Sequence, residues 1–246
     1  MRLSSGSVAV FGPVALTPDV HTAVRDLAKA PEGRADAVGY IVAPDLEHHI
    51  FVSEWKKAFP SAKIIGPEGL YDKRKLQAGD ANTPNVSDDP FFKSLRQGET
   101  AIGDAAFDKD FETEMLHTTT SKELVFCHKA SKTLIQADLM FNMPPTEQYS
   151  RVPENERPKS GFFGIGPLAN LIFSQIGKTQ GDLTWPRRFV WYGIAGKDKD
   201  AFNQGIRRID SWDFVNVIPA HGDTILGDGK ERFRSLFAWH LKDKKE

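Results

Sequence analysis

Val38-Gly39-Tyr40-Ile41-Val42-Ala43-Pro44-Asp45-Leu46-Glu47-His48-His49 is the stretch on which the fold turns. Residues 38–43 form a short apolar run with the length and composition of a buried strand. The run breaks at Pro44 into polar residues. Phe51, Trp55 and Phe59 follow at i, i+4, i+8, one stripe of an amphipathic helix that Pro60 ends. Residues 63–65, Lys-Ile-Ile, read as the next strand, with a turn at Gly66-Pro67-Glu68-Gly69. Strand, polar tip, helix, strand is a βαβ unit. Open α/β sheets bind ligands beyond the carboxyl ends of their strands, so residues 44–49 are the first place to look for chemistry.

The pattern extends in both directions. Residues 8–11 are apolar, and Thr17 with Pro18 supplies an N-cap and a first helical position. Val20, Val24 and Leu27 continue as a helical stripe that Pro31 and Gly33 stop. On the other side, residues 71–97 are polar and read as a helix and a loop. Residues 107–117 alternate in part (Phe107, Phe111, Met115) and read as strand. Residues 124–127 and 133–136 read as a hairpin around the polar turn 128–132, its second arm delivering Ala137-Asp138. Residues 144–161, rich in proline and charge, read as an exposed loop suited to a lid. Residues 167–176 form an apolar helix, and Phe202, Ile206 and Ile209 mark another. A strand over 214–219 runs into Ala220-His221-Gly222-Asp223, and Phe233, Phe237 and Leu241 mark a last helix.

The composition excludes several classes. The chain has 246 residues, 40% of them hydrophobic, with 32 basic and 33 acidic side chains and a formal charge of -1. A nucleic-acid binder would show a basic excess. No apolar run reaches the roughly 18–20 residues needed to span a bilayer, and the N-terminus lacks the apolar core of a signal peptide. The single cysteine, Cys127, excludes an internal disulfide and a thiolate zinc site. The expectation is a soluble, cytoplasmic α/β protein acting on a small-molecule substrate, without nucleic-acid or membrane partners; an oligomer is left open.

Three apolar strands end in metal-competent residues: His48 and His49, then Asp138, then His221. His117 stands just before the strand at Leu124. Imidazole and carboxylate are the usual ligands of catalytic zinc or iron, which keep a position open for water. Any one such histidine, taken alone, is more simply a surface or hydrogen-bonded core residue. The set together points to metal.

These residues resemble the metallo-β-lactamase fold superfamily. His117-Thr-Thr-Thr-Ser121 is similar to a segment that supplies a ligand there, and Leu134-Ile135-Gln136-Ala137-Asp138-Leu139 to the later one whose Asp bridges two metals. Val217-Ile218-Pro219-Ala220-His221-Gly222 resembles the approach to the last ligand, and residues 43–49 sit where a His-x-His-x-Asp-His motif would lie. The wording around His48-His49 and Trp55 is closer still to a divergent branch of unknown function. The resemblance implies one metallo-β-lactamase-like domain over 1–246, an αββα sandwich of two mixed sheets with helices outside, and a loop or lid insertion at about 144–188.

The departure from the motif narrows the site. With His49 in the place of the motif's final His, His48 takes the Asp place, and Leu46 and Pro44 replace the first two histidines. Neither side chain can hold a metal. The resemblance then implies one divalent ion, zinc first with iron or manganese as alternatives, on His49, Asp138 and His221 with His48 as a further ligand and His117 nearby. Asp45 stays open between a substitute ligand and a helix-start carboxylate; Glu47 reads as the latter. The implied activity is hydrolysis of an ester, lactone, thioester or amide by a metal-bound water that Asp138 orients or deprotonates. The alternative is a non-catalytic binding or scaffold protein that has lost the metal.

Other residues read more plainly. Cys127-His128 lies at the hairpin turn, away from Asp138, and is not taken as a nucleophile. His240 reads as a helix C-terminal residue suited to positive charge. Lys56-Lys57, Lys73-Arg74-Lys75 and residues 242–245 read as solvated faces. Residues 161–166, Gly-Phe-Phe-Gly-Ile-Gly, lack the following Lys-Ser/Thr of a phosphate loop. Phe162, Phe163, Phe173, Trp185, Trp191 and Tyr192 read as core or pocket lining.

Overall fold

The computed structural model describes residues 1–29, 37–147, 150, 152–156 and 167–242. Its contacts divide the chain into two units, residues 1–117 with 121–130 and residues 118–120 with 131–246. The strands belong to two four-stranded sheets.

In the first unit the apolar runs become β1 (Val8–Phe11), β2 (Val38–Val42) and β3 (Lys63–Pro67), joined by β4 (Lys93–Leu95) in a parallel sheet of order β1-β2-β3-β4. Helices α1 (Pro18–Ala28), α2 (Val52–Ala58) and α3 (Leu70–Gln77) follow β1, β2 and β3. Thr17 caps α1 as expected, its Oγ1 accepting from the Val20 N–H at 3.3 Å. The proposed stops Pro31 and Gly33 lie outside the described residues. Trp55 and Phe59 of the α2 stripe are buried with Ile41, Ile64 and Leu70. Burying side chains of this size stabilises by roughly 1.5–3 kcal/mol each.

Two elements differ from the sequence reading. Phe107 belongs to α4 (Ala105–Asp108), and the strand β5 starts only at Phe111 (Phe111–Leu116). Asp104 makes that turn helical by accepting from the Ala106 N–H at 3.0 Å. β4 is three residues, Lys-Ser-Leu, too short for a periodicity to show. β5 pairs antiparallel with β6 (Glu123–His128). Phe11 and Tyr40 of the parallel sheet pack on Phe107, Phe111 and Phe126, with ring centroids 5.0–6.5 Å apart. The tip after β2 is tied to β6 through Leu124 N–H to Pro44 O at 2.6 Å, and to the turn before β6 through Leu46 N–H to Ser121 O at 2.9 Å.

The second unit pairs β7 (Thr133–Ile135) with β8 (Asn216–Ile218) in parallel. It adds α5 (Pro167–Ile176), α6 (Thr184–Phe189), a π-turn over Val190–Ile194, α7 (Lys199–Ser211), α8 (Gly229–Leu236) and α9 (Ala238–Leu241). The last predicted helix is therefore two, divided at Phe237. α7 buries Phe202, Ile206 and Ile209, the expected stripe. His240 corrects its reading: it is 1% exposed and stacked on Trp191. Burial, then the charge of Lys199, lowers its pKa to about 4, so it carries no positive charge for the helix dipole. Much of the 144–161 loop, and residues 161–166 with Phe162 and Phe163, lie outside the described residues. Among the described residues no helix is long and apolar enough to cross a membrane.

Candidate metal centre

The tip after β2 is a turn organised by one carboxylate. Asp45 is fully buried. Its Oδ1 accepts the N–H groups of Glu47 at 2.8 Å and His48 at 2.7 Å, and its Oδ2 lies 2.8 Å from His48 Nδ1. Burial alone would raise the Asp45 pKa, but the His48 ring and the two N–H donors outweigh it and hold it below the usual value. An ionised Asp45 only accepts, so the His48 proton sits on Nδ1 and the lone pair on Nε2. The His48 side chain is 25% exposed.

His49 has a different environment. It is 3% exposed, and Arg74 Nη1 of α3 donates to its carbonyl at 2.7 Å and lies 3.3 Å from its Nδ1. Burial first, then the Arg74 charge, lowers the His49 pKa to about 4. Arg74 is itself 1% exposed, which corrects its reading as part of a solvated face. Its Nη2 donates to Ser53 Oγ at 2.6 Å and Asp89 Oδ2 at 3.0 Å, partners that make burial of the charge tolerable. Neighbouring Lys73 donates to Leu46 O at 2.6 Å and pairs with Glu47 at 3.2 Å. α2 starts at Val52, so Glu47 is not a helix-start carboxylate; it is a surface ion-pair partner.

In the second unit the segment after β7 carries Asp138, and the turn after β8 carries His221. Asp138 Oδ1 lies 3.4 Å from His221 Nε2, with the side chains 31% and 25% exposed. Phe141 stacks on the His221 ring at 5.9 Å and 13°. Gln136 closes the intervening loop: its Nε2 donates to Met140 O at 2.6 Å and its Oε1 accepts from Met140 N–H at 3.2 Å.

Of the other sequence candidates, His117 directly follows β5 and is half-buried. Cys127 is buried within β6. Phe173 packs on Phe141 and Phe189, and Trp191 on Trp239, whereas Trp185 and Tyr192 are exposed.

The sequence matches a family model over residues 1–160, described as a domain of unknown function, DUF4336. The chain belongs to the DUF4336 family. Among curated proteins none matches the sequence. Solved structures show the fold. The metal-soaked Flv1 flavodiiron core from Synechocystis sp. PCC6803 aligns with a TM-score of 0.55 at 12% identity, over 96% of this chain and 51% of that one. The structure of TMB-1 gives 0.52 at 13% identity, over 97% and 82%. The DIM-1 metallo-β-lactamase gives 0.51 at 13% identity, over 96% and 84%. The DUF4336 chain thus spans about half the length of the Flv1 chain. It has the metallo-β-lactamase fold.

The donor chemistry of this DUF4336 chain fits a metal. A charge-assisted N–H to O contact would close to about 2.7–2.9 Å. Two ligands each about 2.0–2.1 Å from a tetrahedral zinc stand about 3.3–3.4 Å apart, the spacing that Asp138 and His221 show. Sequence reasoning found Asp138, His221 and His48 as strand-end residues. It missed Asp45's grip on His48 and the Arg74–Asp89 pair, because both depend on how side chains fold back onto the tip.

Proposed function

We propose that this protein is a metal-dependent hydrolase of an ester, lactone, thioester or amide bond that holds one divalent ion with His48, Asp138 and His221. The observation that carries the reading is the Asp138–His221 pair, a carboxylate and an imidazole at ligand spacing beside each other on the second unit. His48 supports it, because Asp45 fixes the ring tautomer in the manner of a carboxylate behind a metal-bound histidine. His48 replaces His49 in this reading, since Arg74, which only donates, takes the His49 Nδ1 lone pair and leaves the proton of the neutral ring on Nε2. A bound divalent metal supplies a Lewis acid and makes a water acidic enough to react near neutral pH.

The chain's own residues then have distinct tasks. Asp138 would help to hold the ion and take a proton from the attacking water, and His221, its ring stacked on Phe141, would be a second holding residue. Two imidazoles and a carboxylate suit zinc first; the same set suits iron(II), so metal identity is a measured outcome.

The test is elemental analysis of the purified protein, followed by a panel of nitrophenyl esters, lactones and thioesters with the metal-loaded chain. One metal per chain is expected, lost in His48→Ala and His221→Ala and little changed in His117→Ala. Hydrolysis should disappear with the metal. A chain that takes up no zinc, iron or manganese, and whose melting temperature ignores all three, would overturn the reading in favour of a metal-free binding protein.

A further inference from the structure

The Asp138–His221 spacing has to be produced by something, because neither residue lies within a strand or helix. Asp138 follows β7 by three residues, and His221 follows β8 by three. The parallel pairing of β7 with β8 runs on past the strands, through Gln136 N–H to Ile218 O and Ala220 N–H to Ala137 O, each at 3.2 Å, and Asn142 adds the next link between the two segments. The Asn142 N–H donates to His221 O at 3.3 Å, Asn142 O accepts from the Asp223 N–H at 3.0 Å, and Asn142 Nδ2 donates to Asp223 O at 2.8 Å. Three hydrogen bonds from a single residue thus bracket His221-Gly222-Asp223. The same residue is four positions beyond Asp138, on a loop whose other end Gln136 pins.

Asn142 is fixed in turn from behind. Its Oδ1 accepts from Thr179 Oγ1 at 2.8 Å and from Arg232 Nη1 at 3.5 Å, and Arg232 Nη1 also donates to Thr179 Oγ1 at 3.2 Å. Asp228 holds Arg232 through its Nε at 2.9 Å. The amide is thereby oriented with its oxygen toward Thr179 and its nitrogen toward the His221 turn, and it cannot flip without placing two donors against each other.

We infer that Asn142 is a positioning residue that, beyond the strand pairing, holds the His221 turn at its separation from Asp138, with Thr179 and Arg232 as its support. This rests on the metal reading above and extends it to residues that hold no metal themselves. A residue of this kind acts on ligand geometry more than on folding, and removal of such outer partners typically costs about 10–100-fold in metal affinity.

The experiment uses the full-length chain and cobalt(II) as the probe, because its visible band reports ligand geometry directly. Asn142→Ala should bind cobalt at least tenfold more weakly than the parent and shift the band. Asn142→Asp, which keeps the acceptor for Thr179 and loses the donor to Asp223, should fall between the two. Thr179→Val, which removes the support alone, should weaken cobalt binding by a smaller factor. Asn216→Ala is the control for stability: it removes hydrogen bonds to Ser131 and Gly227 in the same unit and should leave affinity and band unchanged. Should Asn142→Ala not fold, Asn142→Asp and Thr179→Val carry the test. Parent-like cobalt affinity and spectrum in the folded Asn142 variants would overturn the inference while leaving the metal reading intact. A parent chain that binds no cobalt would overturn the metal reading, and this inference with it.

Discussion

Asp45 Oδ2 lies 2.8 Å from His48 Nδ1, while the other oxygen of the same carboxylate holds the backbone N–H groups of Glu47 and His48. One buried side chain therefore sets both the path of the turn and the tautomer of the ring that it presents. Asp45→Asn removes the charge that keeps the proton on Nδ1. It is expected to weaken zinc binding by about 10–100-fold, as measured by competition with a chromophoric chelator. An unchanged zinc affinity in a folded variant would remove His48 from the ligand set.

Arg74 joins three groups of the first unit through one buried side chain. It is 1% exposed and satisfies the His49 carbonyl, Ser53 and Asp89 together. Arg74→Met leaves the Asp89 carboxylate against Ser53 without its counter-charge. The expected loss is about 3–5 kcal/mol in urea unfolding, the range for breaking one side of a buried pair. A loss below about 1 kcal/mol would mean that the pair behaves as a solvated surface bridge.

How much of this was legible in the sequence follows from where each signal resides. β1, β2, β3 and the helix at Trp55 were readable because their apolar periodicity lies within ten residues of chain. α4 was not, because Phe107 fits an alternating pattern as well as a helical turn, and the Asp104 cap decides between them. Asp138 and His221 were readable as polar residues shortly after apolar strands. The difference in environment between His48 and His49 was not. It depends on Arg74, twenty-five residues further along, whose basic neighbours make it look like surface.

The pH dependence of the metal-free chain separates its buried histidines from its carboxylates. His49 and His240 have pKa values lowered from 6.5 to about 4, mainly by burial. Below pH 6.5 the unfolded chain therefore binds more protons than the folded one, and stability falls as pH drops from about 6.5 to 4. Each contributes at most about 3 kcal/mol over that window, from about 1.4 kcal/mol per pH unit. Asp45, held low, adds a loss only below its unfolded value near pH 4. Urea midpoints in chelator from pH 7.5 to 4.5 should decline, and His240→Gln should flatten the decline. A flat profile across pH 6.5–4.5 would show that neither ring is neutral because of burial.

The last prediction concerns Gly222, between the candidate ligand His221 and Asp223. Its φ is +96°, and a Cβ added there would stand 2.4 Å from Asn142 O and 2.6 Å from Asn142 C. Those are backbone atoms and cannot move aside alone; they belong to the residue that brackets the turn. Gly222→Ala therefore combines backbone strain of about 1–3 kcal/mol with a displacement of Asn142 from His221. Gly227 separates the two effects. Its φ is +87°, but nothing lies within 4 Å of its Cβ position. Gly227→Ala should lose stability through strain alone and keep parent-like cobalt affinity, whereas Gly222→Ala should lose more stability and most of its cobalt binding. If the two variants bind cobalt equally well, the close approach of Gly222 to Asn142 serves the fold and not the site.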